Sequence, residues 1–382
     1  MAVKFFNQVV SELCLGKPEL FGITATDTVY NALTVLKRSE DTYISVWESG
    51  EELAIRSSLC IGKICMTDVI LFLCREENLV DPFKAFESPV SQILSQGVSV
   101  ITHLDSNSSL LEAIDHILEG THNLAIPIQN HRISGSRKKF LSNGRGYCWL
   151  TQEDVVRFLL NSIRVFSPIP SFAISSINII EHNIMTVYHK EPASSAAGYF
   201  NRALDKQTSV AVVDEKHRLI GEISPFKLAC CNETAAAAIT ALSVGDLMAY
   251  IDCRCPHEDL IQLVRIRLLK RNLARMSDLM DEFFHSSVYS SSSNCSSDDE
   301  SGLRRNWGSG RNCPQRSWVI ACSPDSSLVA VMIQALAHRV SCVWVVEDDY
   351  TLVGAVTFAG ILKVLRSFAG CKQNKPEKDN YI

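Results

Sequence analysis

No stretch of this chain is apolar for long enough to span a bilayer; the run beginning at Leu328 is interrupted by His338 and Arg339. The N-terminus, Met1-Ala2-Val3-Lys4-Phe5-Phe6-Asn7-Gln8, has neither the apolar core and small-residue cleavage site of a secretory signal nor the Arg/Ser richness of a transit peptide. Basic excess is missing too: the formal net charge of −5 argues against a nucleic-acid binder, whose domain is strongly basic. Cysteine is plentiful, at 14 residues, but scattered. Cys65, Cys74, Cys148 and Cys342 sit in apolar runs, where a reduced thiol behaves as a small hydrophobe. No secreted disulfide framework is visible, so a reducing compartment is expected. Catalytic signatures are lacking as well: no Gly-x4-Gly-Lys-Ser/Thr loop, no His-Glu-x-x-His, no Gly-x-Ser-x-Gly elbow and no convincing Gly-x-Gly-x-x-Gly. Cys253-Arg254-Cys255-Pro256-His257 is spaced too tightly for the usual zinc pair, and Cys230-Cys231 reads as idle thiols, so no metal is expected. These absences leave a soluble, non-enzymatic, cytoplasmic protein with no membrane or nucleic-acid partner. Nuclear or plastid residence stays open.

What the chain does have is a repeat. Four times an apolar run enters a cassette of hydroxyl or thiol, two spacers and one deciding residue. The cassettes are Cys65-Met66-Thr67-Asp68, Thr151-Gln152-Glu153-Asp154, Ser224-Pro225-Phe226-Lys227 and Thr357-Phe358-Ala359-Gly360. Upstream of each lies a helix start rich in small oxygen-bearing residues, at Asp27-Thr28, Ser108-Ser109, Ser194-Ser195 and Ser326-Ser327. Between the two come short β-branched or apolar runs, Tyr43–Trp47, Leu124–Ile128, Val210–Val213 and Val343–Val346, then a turn and a second run such as Leu219–Ile223 or Leu352–Val356. Each unit therefore reads helix, strand, strand, helix, with room for a short strand before the first helix. The fold class is α/β.

This order resembles the CBS domain, the ligand-sensing repeat named after cystathionine β-synthase, in the four-copy arrangement of plant CBS proteins and of the γ subunit of AMP-activated or SNF-type kinases. The resemblance implies two tandem Bateman modules, with units over 8–80, 88–165, 168–240 and 241–372, assembled as an intrachain disc or a homodimer. It also implies a regulated partner protein, a kinase or a redox enzyme.

The cassette has its own chemistry. A helix N-terminus offers unpaired amides and a positive dipole end, and a carboxylate in its first turn can accept hydrogen bonds from a vicinal diol. Ribose carries such a diol. In the family, the matching hydroxyl and aspartate hold the ribose and phosphate region of adenine nucleotides (AMP, ADP, ATP) or S-adenosyl compounds. By that resemblance the ligand-binding candidates are Thr151 and Asp154 in full, and Asp68 with Cys65 in part, because a thiol is a weak hydrogen-bonding group. Ser224 and Thr357 keep the hydroxyl, whereas Lys227 and Gly360 mark degenerate positions: a lysine has only donors and a glycine no side chain. Threonine and aspartate at a strand-to-helix junction equally make an ordinary cap, so both roles stay open at Asp154, and capping is the simpler role at Asp68. The γ subunits also place basic residues beside the second strand. Here Asn123–Ile126 and Ser341–Trp344 lack them, and His338-Arg339 falls too early, which favours a less charged adenosyl ligand over ATP.

Three further features stand apart. A Ser-rich insertion is expected over 285–317, with Ser296 and Ser297 before Asp298-Asp299-Glu300 as candidate phosphorylation sites. Asp259–Phe284 reads as one basic amphipathic helix, which either binds a partner or packs on its own domain. The basic stretch His131–Lys139 reads as a solvated hairpin.

Overall fold

A computed structural model describes residues 5–39, 41–48, 59–94, 101–121, 123–128, 146–252, 256–290 and 319–371. Ser296, Ser297, Cys253, Cys255 and the basic stretch 131–139 lie outside the described residues. The described residues form four small mixed sheets, each of three strands. They comprise β1 (Gly22–Thr24), β2 (Tyr43–Trp47) and β3 (Cys60–Cys65); β4 (Ile101–His103), β5 (Asn123–Ile128) and β6 (Gly146–Thr151); β7 (Thr186–Tyr188), β8 (Val210–Val213) and β9 (Leu219–Ile223); β10 (Ala321–Cys322), β11 (Cys342–Val346) and β12 (Leu352–Thr357). In each, a short first strand pairs parallel with the second, and the second pairs antiparallel with the third. The parallel pair needs a crossover, which the unit's first helix supplies.

Those helices begin where small hydroxyl residues can cap them. Helix α1 (Val29–Arg38) is capped by Thr28, α3 (Leu110–Leu118) by Ser109 and α11 (Leu328–His338) by Ser327, each oxygen accepting an amide three residues on. In the third unit a 3-10 turn, Ala193–Ala196, leads into α5 (Ala197–Asp205) instead. Each third strand runs directly into its cassette helix: α2 (Met66–Leu73), α4 (Gln152–Asn161), α6 (Pro225–Ala229) and α12 (Phe358–Cys371).

The units close into a ring through two kinds of contact. Sheets meet sheets: Cys60, Ala125 and Trp149 join units one and two, and Ala211, Val213, Cys342 and Trp344 join units three and four. Helices meet helices: one core runs from Val29 and Ile70 of unit one to Phe200 and Ile239 of unit three, and another from Leu110 and Val155 of unit two to Val331 and Leu362 of unit four. At 25 cal/mol per Å² of apolar area, burial of this extent dominates the stability of the assembly.

The basic amphipathic region departs from a single helix. It divides into α9 (Glu258–Lys270) and α10 (Ala274–Ser290), because Asn272 takes φ 58° and turns the chain. Ile261, Val264, Leu268, Met276 and Met280 are buried in the core shared by units one and three. Arg267 and Arg271 donate to the carbonyls of Ala241 and Thr240, Arg265 pairs with Asp281, and the exposed Arg275 lies beside Asp81 and Asp278. The apolar stripe thus packs within the chain, against units one and three. The helix also runs to Ser290, into the Ser-rich stretch expected from 285.

Candidate functional site

A cavity of about 700 Å³ opens where all four units meet. That volume suits a small organic ligand. Unit one lines it with Tyr43, Lys63, Cys65 and Asp68; unit two with Asn123, Thr151 and Glu153; unit three with Asp205, Glu222, Ser224 and Lys227; unit four with His338, Arg339, Ser341 and Phe358. Alternation along β3 explains part of this: Ile61, Lys63 and Cys65 share one less buried face that lines the cavity, while Cys60, Gly62 and Ile64 are buried.

In the first cassette, the Asp68 carboxylate accepts the backbone N–H of Cys65 at 2.7 Å, so it caps α2 and reaches the cavity at once. Burial pushes its pKa above the usual carboxylate range, against the pull of that hydrogen bond and of the Lys63 charge. The Cys65 thiol is pushed up by burial and by the Asp68 charge, which keeps it neutral. Lys63 Nζ donates to Asn123 Oδ1 at 3.0 Å and lies 3.8 Å from the centroid of the Tyr43 ring. Burial lowers its pKa from 10.5 to about 8. A desolvated cation of this kind gains whenever an anion arrives beside it.

The second cassette is built like the first and filled differently. Asp154 Oδ2 accepts Thr151 N–H at 2.8 Å and the Thr151 hydroxyl at 2.6 Å, and Asp154 N–H donates back to Thr151 Oγ1 at 3.2 Å. The same oxygen also receives the ammonium of Lys17, from the N-terminal segment before β1. Lys17 Nζ donates in addition to the Trp149 carbonyl at 2.7 Å. Thr151 and Glu153 line the cavity, and Asp154 lies outside its lining.

The degenerate cassettes keep their caps. Ser224 Oγ accepts Lys227 N–H at 3.1 Å, and Lys227 Nζ turns back onto the Glu222 carbonyl and Asp252, each at 3.3 Å. Glu222 is 4% exposed and accepts the Trp344 indole N–H at 2.8 Å. Burial raises its pKa, moderated by the Lys227 charge. In the fourth cassette Thr357 Oγ1 accepts Gly360 N–H at 3.1 Å, and both residues lie outside the cavity lining. Across the ring, the Thr67 hydroxyl donates to the Pro225 carbonyl at 2.6 Å, locking the first and third cassettes together.

Asp68, Cys65, Thr151, Ser224 and Lys227 therefore converge on one cavity, while Asp154, Thr357 and Gly360 do not reach it. Three charged lining residues, Lys63, Glu222 and Asp205, escaped the sequence reading, and a fourth, Arg339, was judged too early. Lys63 and Glu222 were findable, as charges alternating within otherwise apolar strands. Asp205, at the end of α5, gave no signal. Arg339 falls early in sequence, yet it closes α11 in a left-handed conformation, φ 54°, that brings it to the cavity. Among the described residues no group of three or more His, Cys, Asp or Glu could hold a metal ion.

The CBS domain family model matches residues 319–367. Over 392 residues the chain is 42% identical to the CBS domain-containing protein CBSX5 of Arabidopsis thaliana, covering 96% of this chain and 99% of that one. The chain belongs to the CBS domain-containing proteins. Among its CBS relatives, the SNF1-related protein kinase regulatory subunit gamma-like PV42a of the same plant is 21% identical, over 95% of this chain and 96% of its own. Protein MJ1225 of Methanocaldococcus jannaschii shares the fold, with a TM-score of 0.55 at 15% identity, over 93% of this chain and 99% of that one. Four CBS units, each a helix-crossed three-stranded sheet, account for all four cassettes.

Proposed function

We propose that this CBS protein is a non-catalytic regulatory subunit that binds one adenosyl ligand, an adenine nucleotide or S-adenosyl compound, in the central cavity and thereby changes the surface it offers to a partner protein. The observation that carries this reading is Asp68: a carboxylate held by a helix cap, lining a cavity of ligand size beside the desolvated ammonium of Lys63. The carboxylate can accept from a ribose diol while Lys63 and Arg339 meet phosphate. Because units one to four all contribute walls, a ligand that fits one arrangement of the ring better than another shifts the population of both modules together. The relative named as a kinase regulatory subunit makes a kinase the first partner to try.

A second reading has its own support. Lys17 on Asp154, Lys227 on Asp252 and glycine at position 360 fit an adaptor that keeps the CBS ring without using a nucleotide. Melting of the purified chain against millimolar AMP, ADP, ATP and S-adenosylmethionine separates the two, since only a ligand that binds the folded state raises the melting temperature. The sensor reading expects a rise that Asp68→Ala abolishes. No rise with any compound leaves the adaptor.

A further inference from the structure

The N-terminal segment is a structural part of unit two. Phe6, Val10 and Cys14 are buried in the core that units two and four share, with Val10 N–H on the Ser108 carbonyl at 2.9 Å and Leu20 N–H on the Tyr147 carbonyl at 2.7 Å. Between these anchors the chain delivers Lys17 to Asp154 and to the Trp149 carbonyl. The pair is half-buried, and solvent screening still limits what it contributes to stability. It nevertheless covers the only carboxylate that completes a hydroxyl-plus-aspartate cassette. Nearby, Trp149 shares the face of β6 that carries Thr151 and packs with Cys60 and Ala125 between units one and two; it is 4% exposed and its indole N–H has no acceptor among the described residues. Buried donors of this sort normally have a partner.

We propose that Lys17 is a tethered occupant of the second cassette, an autoinhibitory contact that holds Asp154 away from ligand until the arm is released. The ammonium supplies Asp154 with the donor that a ribose hydroxyl would otherwise bring, and Thr151 at the cavity wall connects the covered carboxylate to the central space. A ribonucleoside ligand and the arm therefore compete for one oxygen. Competition from a covalently linked group is strong, because its effective concentration is set by the short tether rather than by solution. Loss of Lys17 uncovers a second binding position in unit two without touching the first.

The choice of probe, AMP, rests on the adenosyl reading of the cavity, and the variants keep the two claims apart. Equilibrium dialysis of the full chain with AMP is run on the parent, on Asp68→Asn to weaken the central position, on Asp68→Asn/Lys17→Met, and on that double variant with Asp154→Asn added. Methionine keeps the aliphatic stem of Lys17, and Lys17→Gln is run in parallel should the methionine variant fold poorly. The expected result is that adding Lys17→Met to Asp68→Asn raises AMP affinity by about tenfold or more, the value of a hydrogen bond to a charged group, and that Asp154→Asn removes the gain. Hydrogen exchange at the amides of Val10 and Leu20 is expected to quicken in both Lys17 variants. An Asp68→Asn/Lys17→Met protein that melts cooperatively and binds AMP no better than Asp68→Asn overturns the proposal. Parent affinity that is indifferent to Asp68→Asn counts against the central cavity instead, and leaves the Lys17-dependent gain to be read on its own.

Discussion

The first and second cassettes carry the same carboxylate in the same capping geometry, and the structure puts them to different use. Asp68 accepts Cys65 N–H at 2.7 Å and Asp154 accepts Thr151 N–H at 2.8 Å, so the backbone bond is shared, and the second cassette adds the Thr151 hydroxyl at 2.6 Å. What separates them is the occupant. Lys17 sits on Asp154, whereas Asp68 faces the shared cavity with Lys63 on the same wall. The richer motif, Thr151 with Asp154, is the covered one, and the poorer, Cys65 with Asp68, is the accessible one. A capping box alone thus does not decide whether its carboxylate reaches the cavity.

The sharpest break of this comparison is expected from single Asp→Asn changes. Asp68→Asn should weaken AMP binding about 10- to 100-fold, the range for a hydrogen bond to a charged acceptor, as read by calorimetric titration. Next in size is Trp344→Phe, which removes the indole N–H from the buried Glu222 carboxylate across the sheet-to-sheet contact of units three and four. It should cost about 1–3 kcal/mol in urea unfolding, the cost of an unsatisfied buried polar group.

Lys63→Met tests the cavity electrostatics with a sign that depends on pH. In the folded chain the Lys63 amine titrates at about 8 rather than 10.5. The unfolded state therefore binds the proton more tightly, and the penalty for holding a desolvated ammonium is complete below about pH 8 and gone by about pH 10.5. Methionine removes that penalty. Ligand-free Lys63→Met should be more stable than the parent by about 1–2 kcal/mol at pH 7, after allowance for solvent screening at a cavity wall. The gain should fade toward pH 10.5, as followed by urea unfolding across that range. The smallest effect belongs to Asp154→Asn, which should change AMP affinity of the parent by less than about threefold while Lys17 covers that position, since a change outside the contact set is near neutral.

Much of the fold was legible because the repeat states it four times. The β-branched runs at Tyr43–Trp47 and Val210–Val213 are strands with those bounds, and the hydroxyls at Thr28, Ser109 and Ser327 cap the helices that follow. The break at Asn272 was not legible, because a left-handed asparagine inside an amphipathic pattern leaves the apolar period almost unchanged. At the site, local chemistry was readable and long-range geometry was not. Thr151 and Asp154 announce a cap, but the amine that covers them comes from 137 residues away. Arg339 was set aside as too early and as a helix end; it does end the helix, and its left-handed conformation there is what undoes the spacing argument. Lys63 and Glu222 were the signals that sequence alone offered, since a charge alternating within an apolar strand must face something other than core.

Side-by-side titration of AMP into Asp68→Asn and Asp154→Asn tests the central claim most directly, that the accessible aspartate and not the better-matched one holds the ligand. Binding is expected to be lost or weakened at least about tenfold in Asp68→Asn and nearly unchanged in Asp154→Asn. The reverse order, with Asp154→Asn crippled and Asp68→Asn intact, would contradict it.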